Sequence, residues 1–436
     1  MKIKAPKGMR DFYPEDMRRQ NWLFDAWRRA SRAFGFEEYE GPIFEDLALY
    51  TLKSGEGIVS EIFHFESRGG DHFAIRPEMT PTLARMVAAR ANAMPAPIKW
   101  FSLPRMCRAE RPQRGRLREF FQWNADILGV EDPLADAEII ALAVEFFRSV
   151  GLTAEDVVIR VNSRRLAAAA LTSLGIAPER HEQAFALIDR HERLPADVFD
   201  TMWTEAFGES PSAGRLTEFL KTSSREETLR LARESGEAGA AAADQFDELW
   251  TRLDEFGVSD WRAFDLRIVR GLAYYTGIVF EAHTRGGELR ALLGGGRYDD
   301  LTGLLDGPRV PGVGFGMGDA PVFEALKSLD KLPTPGESLD VFLIDADAAL
   351  FPQVLRIAGE LRQTGLRVDF SYKRAAIGKQ FRQADARGAQ VAIVVGAELA
   401  ARGELTVKHL ASGAQRGVST NELRDDAWKA LGLKPA

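Results

Sequence analysis

The stretch IKWFSLPRMCRAERPQRGRLREFFQWNADILG (98–129) concentrates side chains that could do chemistry. It reads as strand, basic loop, strand. In the second strand the even positions are Phe120, Gln122, Asn124 and Asp126, and the odd ones Phe121, Trp123, Ala125 and Ile127. Strand alternation puts an aromatic and three polar groups on one face and an apolar set on the other. In the first strand Met106, Arg108 and Glu110 share a face opposite Cys107 and Ala109. A hairpin of the two would gather Arg108, Glu110, Phe120, Gln122 and Asp126 on one surface. That is an arginine for a phosphate, an aromatic plate for a base, and carboxylate and amide groups for a small polar ligand. An antiparallel sheet with one wet face alternates in the same way. The connecting loop, Arg111 to Arg118, holds four arginines in eight residues, which suits phosphate contacts or a solvated turn.

Several elements must position these groups. Residues 14–35 read as a helix, with Pro14 at its first position, Glu15 and Asp16 in the first turn, and Leu23, Trp27, Ala30 and Phe34 at helical spacing before Gly35. Short strand-like runs continue to about residue 130, and 137–150 looks helical. Residues 164–260 are rich in Ala, Glu and Arg and read as a helical insertion, whereas 264–325 return to strands and glycines. LDKLPTPGESLD (329–340) reads as a linker. Beyond it VFLI (341–344), LRVDF (366–370) and VAIVV (391–395) alternate with helical stretches closed by Gly365 and Gly388, predicting a small parallel βαβαβ sheet. DADAAL follows the first of these strands, so the glycine fingerprint of a dinucleotide fold is missing.

Length and composition set the outer bounds. A chain of 436 residues predicts about three domains, and 45% hydrophobic with 28% charged residues is ordinary for a globular protein, excluding disordered and fibrous classes. The single cysteine, Cys107, excludes a disulfide framework and any cysteine-built zinc or iron–sulfur site. None of the six histidines forms a metal pattern, since His191-Glu192 lacks the second histidine of H-E-x-x-H. The opening MKIKAPKGMRDFYPED has no apolar signal region and no run approaches a membrane span, which predicts a cytoplasmic protein. Net charge is −7, but from Leu339 onward it is +3, so a basic tail follows an acidic body. That asymmetry is compatible with a polyanionic partner at the tail and equally with ordinary scatter.

The hairpin resembles motif 2 of class II aminoacyl-tRNA synthetases, in the form R-x-E-R-P-Q-x-G-R-x-R-x-F of the histidyl-tRNA synthetase family. PKGMRDFYPED (6–16), AIRPEMTPTLARM (74–86), IVRGLAYYTGIVFE (268–281) and LLGGGRYDDL (292–301) resemble further segments of that family, and the basic tail resembles its anticodon-binding domain. The resemblance implies an α+β catalytic domain, an antiparallel sheet flanked by helices, over 1–163 and 261–328. It places a helical insertion at 164–260, a linker at 329–338 and an anticodon-binding α/β domain at 339–436. It implies histidine activation by ATP with Mg2+, transfer to tRNA, and a homodimer touching neither membrane nor DNA. Arg108 and Arg270 would clamp the α-phosphate. Glu110 would accept from the adenine amino group, and Phe120 would stack on the base. Glu78, Met79, Thr80, Gln122, Asp126, Tyr274 and Tyr275 would line the histidine pocket, and Gly294, Gly295 and Gly296 would let backbone lie close to substrate. Gln113, Arg114 and Arg116 would meet the tRNA. In the tail, Lys373, Arg374, Lys379, Arg382 and Arg387 supply positive charge.

The sequence also departs from the family pattern. VGFGMGDAPV (313–322) stands where motif 3 is expected, and its alternating glycines leave one strand face open for ATP. The arginine that would meet the γ-phosphate is absent, with Asp319, Ala320 and Pro321 in its place, so a magnesium ion or an arginine from elsewhere must compensate. Ala273 replaces a more usual acidic residue, and Asp126 stands where glutamate is frequent. The alternative reading is a non-catalytic, synthetase-like regulatory subunit of ATP phosphoribosyltransferase, which would lack the tail and degrade the Tyr-Tyr signature. A class II enzyme for proline, glycine or threonine is a further alternative, against which that signature argues.

Overall fold

Helix α1 (Pro14–Ala33) forms where the proline, the acidic first turn and the apolar spacing direct it, and Gly35 closes it at φ +76°. Its buried stripe, Leu23, Trp27 and Ala30, packs behind the main sheet; Trp27 stacks with Trp123, whose Nε1 donates to Ser31 Oγ at 3.0 Å. The computed structural model describes residues 3–434 apart from 55–58, 60, 114, 116, 189, 191–193, 209–223, 270–273, 287–288, 334–338 and 374. It divides into two units, Met1–Pro333 and Thr334–Ala436.

In the first unit nine strands form one sheet: β1 (Glu37–Glu38), β2 (Ile98–Ser102), β3 (Arg105–Cys107), β4 (Glu119–Leu128), β5 (Val157–Ser163), β6 (Arg262–Phe264), β7 (Ile278–Thr284), β8 (Leu293–Arg297) and β9 (Gly312–Gly318). Their order is β1-β2-β4-β9-β8-β7-β5-β6, with β3 paired to the start of β4. The six central strands are antiparallel, as expected, but the edge pairs β1–β2 and β5–β6 are parallel, so the sheet is mixed.

Register decides which residues share a face. Asp126, Asn124 and Gln122 of β4 lie opposite Gly314, Gly316 and Gly318 of β9. Gly314 and Gly316 lie opposite Gly296 and Gly294 of β8, and Gly294 opposite Glu281 of β7. This face is polar with a glycine centre. The other face carries Trp123, Phe315, Met317 and Phe280, none more than 3% exposed, and is covered by α1 and α2 (Pro133–Ser149) in one core. Helix α2 begins four residues before the expected 137 because Pro133 takes its first turn and the Asp132 carboxylate caps the Leu134 N–H.

The described part of 164–260 is helical and divides between two cores. Helices Arg164–Ser173, His181–Ile188 and Ala196–Phe207 build a separate cluster around Phe185, Phe199 and Trp203. Helix α3 (Glu237–Glu255) instead inserts Phe246, Leu249 and Leu253 into the core behind the main sheet.

The second unit has five strands, β10 (Leu339–Asp345), β11 (Val368–Phe370), β12 (Ala389–Val395), β13 (Glu404–His409) and β14 (Gln415–Ser419), in the order β11-β10-β12-β13-β14. The first three are the expected parallel set, with helices Phe351–Gln363 and Ile377–Ala386 as crossovers. Antiparallel β13 and β14 extend the sheet beyond the expected βαβαβ, and Leu405, Val407 and Val418 bury one side of them.

Candidate active site

Two adjoining cavities open on the glycine face. The inner one, about 260 Å³, is walled by Glu78, Thr80, Arg108, Asn124, Tyr274, Tyr275 and Tyr298, over a floor that includes Gly294, Gly314 and Gly316. The outer one, about 720 Å³, shares Arg108, Gln122, Glu281, Gly294 and Gly316 with it and extends past Phe120 to Arg160, His283 and Pro321. The inner volume suits a ligand smaller than the roughly 300–1,000 Å³ pockets of drug-sized molecules, whereas the outer one falls within that range. The floor needs glycine. A Cβ on Gly314 would run into the Asp126 carboxylate, and one on Gly316 would sit 2.6 Å from Gln122 Nε2. At Gly294 a Cβ would meet nothing within 4 Å, so backbone there faces open cavity.

The pairing of β3 with β4 sets Met106 opposite Phe120, and just beyond it Arg108 N donates to Arg118 O at 2.8 Å. The Arg108 guanidinium lies 5.2 Å from the Phe120 ring centroid and donates through Nε to Pro77 O at 3.0 Å, which fixes its direction. Glu78 follows Pro77 in sequence and accepts from the Tyr274 hydroxyl at 2.7 Å. Burial pushes the Glu78 carboxyl above the usual carboxylate range, while the Tyr274 hydroxyl and the Arg108 charge pull the other way. Tyr274 and Tyr275 are neighbours in sequence, yet both face the inner cavity. They lie in a turn before β7 begins at Ile278, so strand alternation does not separate them, and their rings meet edge to face at 5.2 Å.

The remaining expected residues distribute unevenly. Gln122 and Thr80 line the inner cavity. Asp126 lies behind its wall, 2% exposed, accepting from the Tyr298 hydroxyl at 2.6 Å. Burial raises the Asp126 carboxyl to about 7 against the pull of that hydrogen bond. Met79 is fully buried beside the Arg76 guanidinium and is not among the cavity residues. Glu110 lies outside both linings, its carbonyl accepting from Arg118 Nε at 3.1 Å. Gln113 Oε1 accepts from Arg290 Nη2 at 2.5 Å. Arg270, Ala273, Arg114, Arg116 and Arg374 lie outside the described residues. Among the described residues no three His, Cys, Asp or Glu side chains cluster as a metal site, and no helix is long and apolar enough to cross a membrane.

Sequence reasoning gave no role to Tyr298, Glu281 or Asn124, all of them cavity residues. Signals existed for each: Asn124 shares the even face of β4, Glu281 lies opposite Gly294, and Tyr298 keeps the parity of Gly294 and Gly296.

Comparison with known proteins covers both units of the chain. A family model described as histidyl-tRNA synthetase matches residues 8–320, and one described as anticodon binding domain matches 340–426. The chain is 40% identical over 422 residues to a histidine–tRNA ligase of Opitutus terrae, covering 96% of each. It is 39% identical to a chloroplastic/mitochondrial histidine–tRNA ligase of Arabidopsis thaliana, over 97% of this chain and 86% of that one. The crystal structure of a histidyl-tRNA synthetase from Nostoc superposes with a TM-score of 0.84 at 27% identity, covering 98% of this chain and 99% of the other.

Proposed function

The chain belongs to the histidyl-tRNA synthetase family, and on that premise we propose that it activates L-histidine with ATP and transfers it to the 3′ end of its tRNA. The observation that carries the reading is the double cavity on one glycine floor, small and polar within, nucleotide-sized without, with Arg108 at the junction. In the first step a histidine carboxylate oxygen bonds to the α-phosphorus and pyrophosphate leaves. In the second, a terminal ribose hydroxyl of the tRNA attacks the activated carbonyl and AMP leaves. Both steps place the developing charge where fixed donors can meet it.

Histidine occupies the inner cavity. Its α-ammonium meets Glu78, which Tyr274 holds in place, and its carboxylate points to Arg108 at the junction. The imidazole nitrogens meet Tyr275 and the Tyr298 hydroxyl that the buried Asp126 orients. Adenine lies on Phe120, and Arg108 contacts the α-phosphate, with Arg270 opposing it from the far side as the family resemblance implies. Mg2+ would be carried by the ATP phosphates, and Glu281, a carboxylate in the outer cavity that also meets His283 Nε2 at 3.0 Å, would fit it, because Mg2+ needs only one or two carboxylates beside substrate phosphates and the waters it keeps. The motif 2 loop with Gln113, Arg114 and Arg116 receives the acceptor end, and the second unit binds the anticodon. A homodimer accounts for the exposed apolar side chains of Ile43, Phe44 and Phe65, and the compartment is cytoplasmic. A non-catalytic regulatory subunit is disfavoured, because the chain keeps the tail unit and the polar walls of the amino-acid cavity.

Histidine-dependent exchange of labelled pyrophosphate into ATP tests the reading. Exchange with L-histidine and with no other amino acid is the expected result. Exchange driven by proline or threonine, or none from a folded protein, refutes it.

A further inference from the structure

The departure at motif 3 leaves the outer cavity without the cation that would meet the far end of the nucleotide. Asp319 is committed elsewhere. Its fully buried carboxylate accepts from Arg10 Nη2 at 2.7 Å and from the Phe121 N–H at 3.1 Å, tying the N-terminal segment to β4. Ala320 and Pro321 line the cavity but carry no charge. The β- and γ-phosphates are the most highly charged part of ATP, and forked guanidinium donors are their usual complement.

Among the described residues four arginines reach this cavity: Arg108, Arg160, Arg267 and Arg290. Arg108 serves the junction. Arg160 and Arg267 are both tied to one carboxylate, Asp265, at 3.3 and 2.8 Å; it is only 8% exposed, so it holds both guanidiniums in place and offsets half of their charge. Arg290 is different. It is exposed, and its recorded partner is a neutral amide, Gln113, with no carboxylate paired to it among the described residues. Its position is also suited. Arg290 lines the same cavity as Gly318, the last residue of β9, and as Ala320 and Pro321 in the helix that follows, where motif 3 would otherwise present its arginine.

We propose that Arg290 takes the β- and γ-phosphates of ATP in place of the arginine missing from motif 3, with Gln113 holding the guanidinium at the cavity mouth until the nucleotide claims it. The proposal rests on the ATP-dependent reading of the site. It also makes Arg290 a link between nucleotide and motif 2 loop, because the same side chain contacts both in turn.

The test compares Arg290→Gln and Arg290→Lys with the unaltered full chain. Binding of ATP and of AMP is measured by calorimetry, and pyrophosphate exchange gives the KM for ATP and for histidine. AMP has the adenine and α-phosphate but lacks the two outer phosphates, so it separates a contact there from a general disturbance. Arg290→Gln should weaken ATP at least ~10-fold and raise its KM similarly, the scale of losing a charge-assisted contact. AMP affinity and the KM for histidine should stay within about twofold, and lysine should restore part of the loss, since it keeps the charge without the fork. If AMP weakens as much as ATP, or neither changes, the proposal is overturned. Should glutamine disturb folding, seen in the thermal melt, the lysine variant must still show the ATP-specific loss in smaller degree, and its absence overturns the proposal as well. Failure of the unaltered chain to exchange pyrophosphate with histidine would instead strike the proposed function, and the ATP-to-AMP contrast would still decide the role of Arg290.

Discussion

Replacing Asp126 with asparagine should stabilise the first unit above neutral pH while weakening its hold on histidine. Asp126 is 2% exposed, and burial raises its carboxyl from the ordinary 3.8 to about 7, even with the Tyr298 hydroxyl donating to it. Between those values the folded protein keeps a proton that the unfolded chain has released. Stability therefore falls as pH rises through that window and levels off above about 7. The whole window amounts to ~4 kcal/mol, of which ~2 kcal/mol falls between about pH 5.5 and about pH 8.5. Asparagine cannot ionise but can still accept from Tyr298, so the variant lacks this dependence. Denaturant unfolding of both proteins at the two pH values should show the stability gap moving by ~2 kcal/mol in favour of Asp126→Asn at the higher pH. The infrared carbonyl band of a protonated carboxyl, present in the unaltered protein and absent from the variant, should disappear with a midpoint near 7. Above about pH 7, where Asp126 is ionised, the KM for histidine should rise roughly tenfold or more, because a neutral amide orients Tyr298 less strongly than a carboxylate. A stability gap that does not change with pH, or a band that disappears below about pH 5, would show that Asp126 is not the buried, proton-holding group described.

Three further outcomes follow from the geometry. Arg108→Ala should lower pyrophosphate exchange by at least ~10², the cost of one preorganised charged donor, with an unchanged thermal melt; near-normal exchange would remove Arg108 from the α-phosphate. Gly316→Ala would place a Cβ 2.6 Å from Gln122 Nε2, so it should displace that amide and depress exchange at least ~10-fold. A crystal structure with Gln122 unmoved and full activity would contradict that account. A chain ending before Thr334 lacks the second unit but keeps both cavities, and should retain histidine-dependent exchange while losing most tRNA charging. Its tRNA binding should also depend less steeply on salt, since fewer phosphates are neutralised. Full charging by a folded truncation would end the anticodon assignment.

The sequence was most legible where periodicity and burial agree. The alternation of β4 correctly separates Gln122, Asn124 and Asp126 from Trp123, Ala125 and Ile127, because one face had to meet the core and the other could not. The βαβαβ start of the second unit was equally plain, since its strands are buried on both sides and its helices are closed by glycines. Strand β14 escaped notice because only Val418 of QRGVS is buried, too little for a pattern. Parity along β4 put Asp126 on the ligand face, but it could not reveal that the Tyr298 hydroxyl would come between that carboxylate and the cavity. Nor could spacing foresee two adjacent tyrosines facing one cavity, which requires a turn in place of a strand. Arg290 was invisible for a different reason: its partner Gln113 is 177 residues away, and only the fold brings the two loops together.

The glycine floor has a thermodynamic consequence. Two neighbouring strands present Gly294, Gly314 and Gly316 to the ligand, and glycine has no rotamers to lose when something settles on it. Ordering on binding is therefore confined to the walls, to Glu78, the three tyrosines and the arginines, each immobilised rotamer-rich side chain costing roughly 0.5–1.5 kcal/mol. Tyr274 and Tyr298 are already fixed by hydrogen bonds to buried carboxylates, so in the inner cavity most of that entropy has been given up during folding. Histidine then meets a surface close to its bound form, and the entropic penalty that remains lies with the long side chains around the nucleotide.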